Sequence, residues 1–212
     1  MSIDSLIPPA PTLPPRSNLA ALSWALLIVW LGSSVASFWL MEMRDWRSFG
    51  PGEVAFADID TARVEAWYRS MRASLRPAGK WPALTVVHLY NADCRCNRFV
   101  EPHLKRLIEG YQTRGVQFLA APAQPIAAHL PTPANLPVVA ATRSTLAAAG
   151  VNSSPAALIF DAAGRLIYYG PYSDSAWCGS TGNLVEPVLE RALSGLTSAR
   201  RPRPSRGCFC GW

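Results

Sequence analysis

Four of the five cysteines stand in two copies of one spacing, Cys94-Arg95-Cys96 and Cys208-Phe209-Cys210; the fifth is Cys178. A thiolate attacks disulfides and binds soft metals, so the chemistry to look for is sulfur exchange or metal binding. The first pair follows Leu84-Thr85-Val86-Val87-His88-Leu89-Tyr90, an apolar, β-branched run of the kind a covered strand needs. It precedes a segment from Asn97 to Tyr111 in which Phe99, Val100, Leu104, Leu107 and Ile108 share one helical face. Cys94 and Cys96 therefore sit where a strand hands over to a helix. A thiol there meets unpaired backbone N–H groups and the positive end of the helix dipole, which favour the thiolate. Arg95 pushes the same way and Asp93 pushes against it. Cys94 is read as the attacking thiol and Cys96 as the resolving one, with Asn97 and Arg98 as neighbours that tune them.

Cys208 and Cys210 end a stretch preceded by about ten polar or small residues, a flexible tail able to span ~16–18 Å. Such a tail is a candidate electron carrier between the first pair and another protein. It is equally a candidate to fold back and place four thiolates together. In that second reading Cys94, Cys96, Cys208 and Cys210 are ligands for Cu(I) or Zn(II). Five cysteines leave one unpaired if two disulfides form.

These cysteines need elements to hold them. From Leu19 to Met41 no residue is charged, and a helix over those 23 residues would be ~34 Å long. A single transmembrane helix over 18–41 is expected, with Trp39 as an interfacial anchor. A cleaved signal peptide ending near Ser34–Ser37 is the competing reading, but Phe38, Trp39, Leu40 and Met41 carry the apolar run past that point. Arg16 on one flank and Arg44 and Arg47 on the other do not orient the span by charge. A dithiol chemistry suits an oxidising compartment, so the soluble domain is expected on the periplasmic side of an inner membrane.

The remaining chain reads as a Pro-rich tail over 1–17, a linker over 42–57, a domain over 58–196 and the Cys-x-Cys tail over 197–212. Within the domain, helices are expected over 61–75, 97–112 and 144–149 and from Asn183 with Glu186 onward; strands are expected at 84–90, 116–120, 156–160 and 165–169. Alternating β and α elements imply an α/β class. The net charge is +6 with 18 Arg and two Lys (Lys80, Lys105), and the arginines are scattered. No aromatic-plus-basic groove motif accompanies them, so nucleic acid is excluded as a partner, while anionic lipid near a tethered basic domain is compatible.

The order β–α–β, Pro-rich insertion, helix, Pro-led β-hairpin, helix resembles the thioredoxin-like superfamily over about 58–196. The insertion between Ala121 and Ser144 is similar to that of membrane-anchored bacterial thioredoxins of the TlpA and ResA kind, and the chain also resembles an uncharacterised membrane-anchored bacterial family with Cys-x-Cys motifs. The resemblance implies a three-layer α/β/α domain, with Cys94 at the position of the first active-site cysteine and Pro102 as the proline that kinks the cysteine helix. It implies that Ser153-Ser154-Pro155 is the cis-proline loop, with Pro155 backing a bound partner chain. It implies that His88 replaces a buried acid and moves protons near neutral pH, although a core histidine with a satisfied hydrogen bond fits the same position. It brings the loop with Cys178 to the same pole as a third thiol. His103 and His129 are expected at the surface.

One departure matters. Such proteins use Cys-x-x-Cys, and Asn97 holds the second cysteine position here. A Cys94–Cys96 disulfide would close a tighter ring, strained and more oxidising than a thioredoxin disulfide. That points to an oxidant, an isomerase, or a partner cysteine elsewhere in the chain. The leading expectation is a membrane-anchored thiol–disulfide oxidoreductase acting on protein thiols and disulfides, without a cofactor. The alternatives are a thiolate metal carrier or metal-site assembly factor, and a non-catalytic thioredoxin-fold scaffold.

Overall fold

The uncharged block forms helix α1 (Ser17–Phe38), which continues through one wider turn to Met43. Its side chains are exposed, and Asn18–Met41 is long and apolar enough to cross a membrane. It belongs to a unit ending at Arg44; a second unit runs from Asp45 to the C-terminus. The computed structural model describes residues 17–43, 46–49, 59–75, 82–124, 132–140, 143–173, 183–196 and 206–211. Cys178, His129, the 1–16 tail and most of the 42–57 linker lie outside them.

The second unit begins with β1 (Trp46–Ser48), followed by α2 (Thr61–Ser74). Asp60 caps α2, its carboxylate accepting from the Arg63 N–H at 3.0 Å. Then come β2 (Leu84–Tyr90), α3 (Asn97–Tyr111) and β3 (Val116–Pro122). A 3-10 turn (Gln112–Arg114) follows α3, and Gly115, at φ 85°, ends it in the left-handed conformation that lets the chain reverse into β3. After α4 (Arg143–Ala148) and the short β4 (Ser153–Ser154), β5 (Ala156–Asp161) and β6 (Leu166–Gly170) form a hairpin, and α5 (Glu186–Leu193) closes the domain. Asn183 accepts from the Glu186 N–H at 3.0 Å at the entrance to α5.

The central sheet has the order β3-β2-β5-β6, with β2 parallel to β3 and antiparallel to β5. β2 is buried along its whole length, which explains why it reads as an unbroken apolar run. Alternate residues feed two cores. Val87, Leu89, Leu158 and Phe160 meet α2 and α4 through Val64, Trp67, Met71 and Leu146. Val86, Tyr90, Ala157 and Ile159 meet α3 and α5 through Val100, Leu104, Leu107, Val188 and Leu189. A sheet covered on both faces by helices is the three-layer α/β/α arrangement, and its topology is thioredoxin-like.

The sequence reading of the tail needs correction. Residues 206–211 are not free chain: β7 (Arg206–Cys208) pairs antiparallel with β1, and β8 (Cys210–Gly211) pairs antiparallel with β4. Between them Phe209 is 5% exposed and packs edge-on against Phe49, with ring centroids 5.1 Å apart. Phe49 in turn meets Tyr169 of β6 at 5.2 Å. Burial of this aromatic, together with the strand pairing, offsets part of the entropy lost in ordering a short tail.

Candidate functional site

β2 delivers the chain to the pole of the sheet, and Asn91 turns it. The Asn91 carbonyl accepts from the Cys94 N–H at 2.9 Å and from the Asn97 side-chain amide at 2.7 Å. Its side-chain oxygen accepts from the Asp93 N–H at 3.1 Å. Its side-chain amide reaches the tail, donating to the Gly211 carbonyl at 3.4 Å. Asn91 thus ties the cysteine loop, the helix start and the tail together. It was missed in the sequence because a lone Asn after a strand reads as ordinary turn chemistry.

Cys94 and Cys96 are 4% and 1% exposed. The expected Cys94–Cys96 ring is not what forms. Cys94 is bonded to Cys210 and Cys96 to Cys208, with Cα separations of 5.9 and 5.5 Å, inside the ordinary disulfide range. The physical reason lies in the strand pairing. β7 on β1 and β8 on β4 bring both tail cysteines over the start of α3, where each core thiol has a tail cysteine within bonding reach. The tail cysteines are half-buried and are the more accessible members of both bridges. The two bridges are also close to one another: Cys96 Sγ and Cys210 Sγ are 3.9 Å apart, and the sulfurs of Cys94, Cys96 and Cys210 all lie within 4.8 Å.

The loop expected to carry the proline borders this cluster. The Ser154–Pro155 peptide bond is cis, and the Ser154 carbonyl oxygen lies 3.9 Å from Cys94 Sγ. β8 lies alongside Ser153 and Ser154, so the tail covers the backbone edge leading into Pro155.

His88 does not stand ready to move protons near neutral pH. It is 1% exposed, and burial pushes its pKa down to about 3, so the ring stays neutral. Its Nδ1 is 2.9 Å from the Tyr172 hydroxyl, and its ring stacks on Tyr90. The buried, hydrogen-bonded reading holds. His103, expected at the surface, is also buried, with its ring edge-on to Tyr172 and its pKa lowered by burial first and Arg106 second. Its place on the inner face of α3 was legible from Val100, Leu104 and Leu107, whose helical stripe includes position 103.

The sequence profile of a domain of unknown function, DUF6436, matches residues 65–212, more than half of the chain and including both cysteine pairs. The chain belongs to the DUF6436 family. No curated protein matches it significantly. Among solved structures, this DUF6436 chain is similar to a hypothetical protein from Sinorhizobium meliloti 1021, at 16% identity and TM-score 0.49 over 62% of this chain and 80% of that one. It is similar to an uncharacterized conserved protein from Geobacillus kaustophilus, at 21% identity and TM-score 0.47 over 62% and 77%. A thioredoxin-like protein from Aeropyrum pernix aligns at 19% identity and TM-score 0.37 over 54% and 78%.

Proposed function

We propose that this protein is a membrane-anchored thiol–disulfide oxidoreductase that exchanges electrons with protein thiols through the Cys94–Cys210 bridge. The observation that carries the reading is the cross-pairing: a buried cysteine at a helix start bonded to a more accessible cysteine on a tail. A partner thiolate attacks Cys210 Sγ. The Cys94–Cys210 bond breaks, and Cys94 leaves as a thiolate favoured by the α3 N-terminus. A second partner thiolate then attacks the partner sulfur of the mixed disulfide. The partner disulfide forms, Cys210 is released as a thiolate, and two electrons have passed to this protein. The partner's two thiol protons end on solvent or on the cysteines. In reverse, reduced Cys210 attacks a partner disulfide and releases one partner thiolate; Cys94 then attacks Cys210 Sγ, re-forms the Cys94–Cys210 bond and releases the second, so Cys94 takes the resolving role that spacing suggested for Cys96. Pro155 backs the partner chain at this pole.

Helix α1 supports a single span in an inner membrane. Two disulfides support a domain on the periplasmic side, since such bonds persist in oxidising compartments. The test is to mix the oxidised full chain, in detergent, with a dithiol peptide under anaerobic conditions and count thiols on both by alkylation. Peptide thiols should disappear as protein thiols appear, two for two. Peptide that stays reduced beside an unchanged protein would reject the reading.

A further inference from the structure

We infer that the same four cysteines, once reduced, form a tetrahedral thiolate site for a soft d10 cation of the Zn(II) class, so that these sulfurs hold either two disulfides or one metal ion. The argument is geometric. A zinc ion bound by four thiolates at ~2.3 Å sets neighbouring sulfurs ~3.8 Å apart. Cys96 Sγ and Cys210 Sγ, which belong to different bridges, already stand 3.9 Å apart. Cys94 Sγ lies within 4.8 Å of both; Cys208 Sγ is bonded to Cys96 Sγ but stands outside that group of three, so it is the donor that must swing in. Opening the bonded pairs to a tetrahedral edge takes less than ~2 Å of sulfur movement, within reach of a change in χ1.

The surroundings favour retention of a cation. Cys94 and Cys96 are buried, and β7 and β8 carry the other two donors on strands paired with β1 and β4. Phe209 between those donors is anchored in the core. Four thiolates and a divalent cation carry a net charge of −2, which the α3 N-terminus and the adjacent Arg95 offset. Two dithiols supply four electrons and four protons to open the two disulfides; the cation then displaces four protons on binding. Exchange with two partner disulfides, which take up the four electrons and leave as four thiolates, closes both bridges again and releases the metal.

The site uses the sulfurs of the proposed exchange chemistry but does not rest on it: a chain that never oxidises a dithiol peptide can still bind metal. The full chain in detergent, reduced with a phosphine under argon and freed of excess reductant, would be titrated with Zn(II) against a chromogenic chelator and separately with Co(II). The expected result is one cation per reduced chain, a tetrahedral cobalt–thiolate spectrum, and no binding by the oxidised chain. Cys94→Ser, Cys96→Ser, Cys208→Ser and Cys210→Ser should each weaken binding about tenfold or more. All are compared in the reduced state, where no variant differs in disulfides, and far-UV circular dichroism checks that each is folded. An octahedral cobalt spectrum, sub-stoichiometric binding to the wild type, or full binding by folded Cys94→Ser or Cys208→Ser would overturn the proposal.

Discussion

The two Cys-x-Cys motifs share a spacing and differ in everything that surrounds it. In Cys94-Arg95-Cys96 the cysteines are buried at the start of α3 and the middle residue is exposed. In Cys208-Phe209-Cys210 the cysteines are half-buried in two short strands and the middle residue is buried. Alternate residues of an extended chain point the same way, so burying Phe209 turns Cys208 and Cys210 together toward the first pair. The helix start supplies the environment that stabilises thiolate; the strand supplies reach and access. Neither motif alone makes the site. A cysteine motif is defined by what its spacer does: Arg95 leaves its pair in place, and Phe209 docks the other pair onto it.

Exchanging the chemistry at the helix start should have the largest effect. Cys94→Ser is expected to bring dithiol oxidation down to the uncatalysed background, whereas Cys208→Ser keeps the Cys94–Cys210 bridge and stays within a few-fold of wild type in the same thiol-counting assay. Equal loss in both would mean that the two bridges act as one unit.

The spacer comes next. Phe209→Ala removes a buried aromatic and is expected to cost about 3 kcal/mol in denaturant unfolding. Arg95→Ala, at an exposed position, should change stability by less than ~0.5 kcal/mol. If the two substitutions cost the same, the docking role assigned to Phe209 is wrong.

A smaller effect is expected from acid. His88 is held neutral with a pKa of about 3, below the ~6.5 of an unfolded histidine, so the unfolded state binds the extra proton between those values. The associated stability is fully present above pH 6.5 and is lost as pH falls toward 3. The loss reaches about 2 kcal/mol by pH 5. Urea unfolding across this range should show that slope in the wild type and a flatter one in His88→Gln; parallel slopes would place the titration elsewhere.

The smallest effect belongs to the far end of α3. Arg114 pairs with Glu190 at 2.6 Å, which also accepts from Tyr111 at 2.7 Å and is held at a pKa of about 2, first by the Arg114 hydrogen bonds and then by that of Tyr111. These groups are exposed enough for salt to screen them. Arg114→Ala should leave dithiol oxidation unchanged and lower the melting temperature slightly, with the difference shrinking at high salt.

Local pattern made the frame legible. The run 84–90 is β2 to the residue, and the stripe Val100, Leu104, Leu107 faces inward on α3, because both follow from periodicity and burial. The stretch 61–74 was similarly readable from Val64, Trp67, Tyr68 and Met71. What escaped was non-local. Residues 206–211 carry too short an apolar pattern to read as strand, and their order comes from β1, β4 and Phe49, more than a hundred and fifty positions away in the case of β1. The bridge pattern escaped for the same reason: Cys94 and Cys210 are separated by 116 residues. Position alone leaves His88 open between a proton carrier and a core histidine, and its burial, which removes the charge, comes from non-local packing.

The most direct test of the account is to map the disulfides of the oxidised full chain by non-reducing proteolysis and mass spectrometry while titrating it in redox buffers. The account predicts Cys94–Cys210 and Cys96–Cys208 cross-links that open and close reversibly. Cys94–Cys96 and Cys208–Cys210 links, or four thiols that stay reduced throughout, would contradict it.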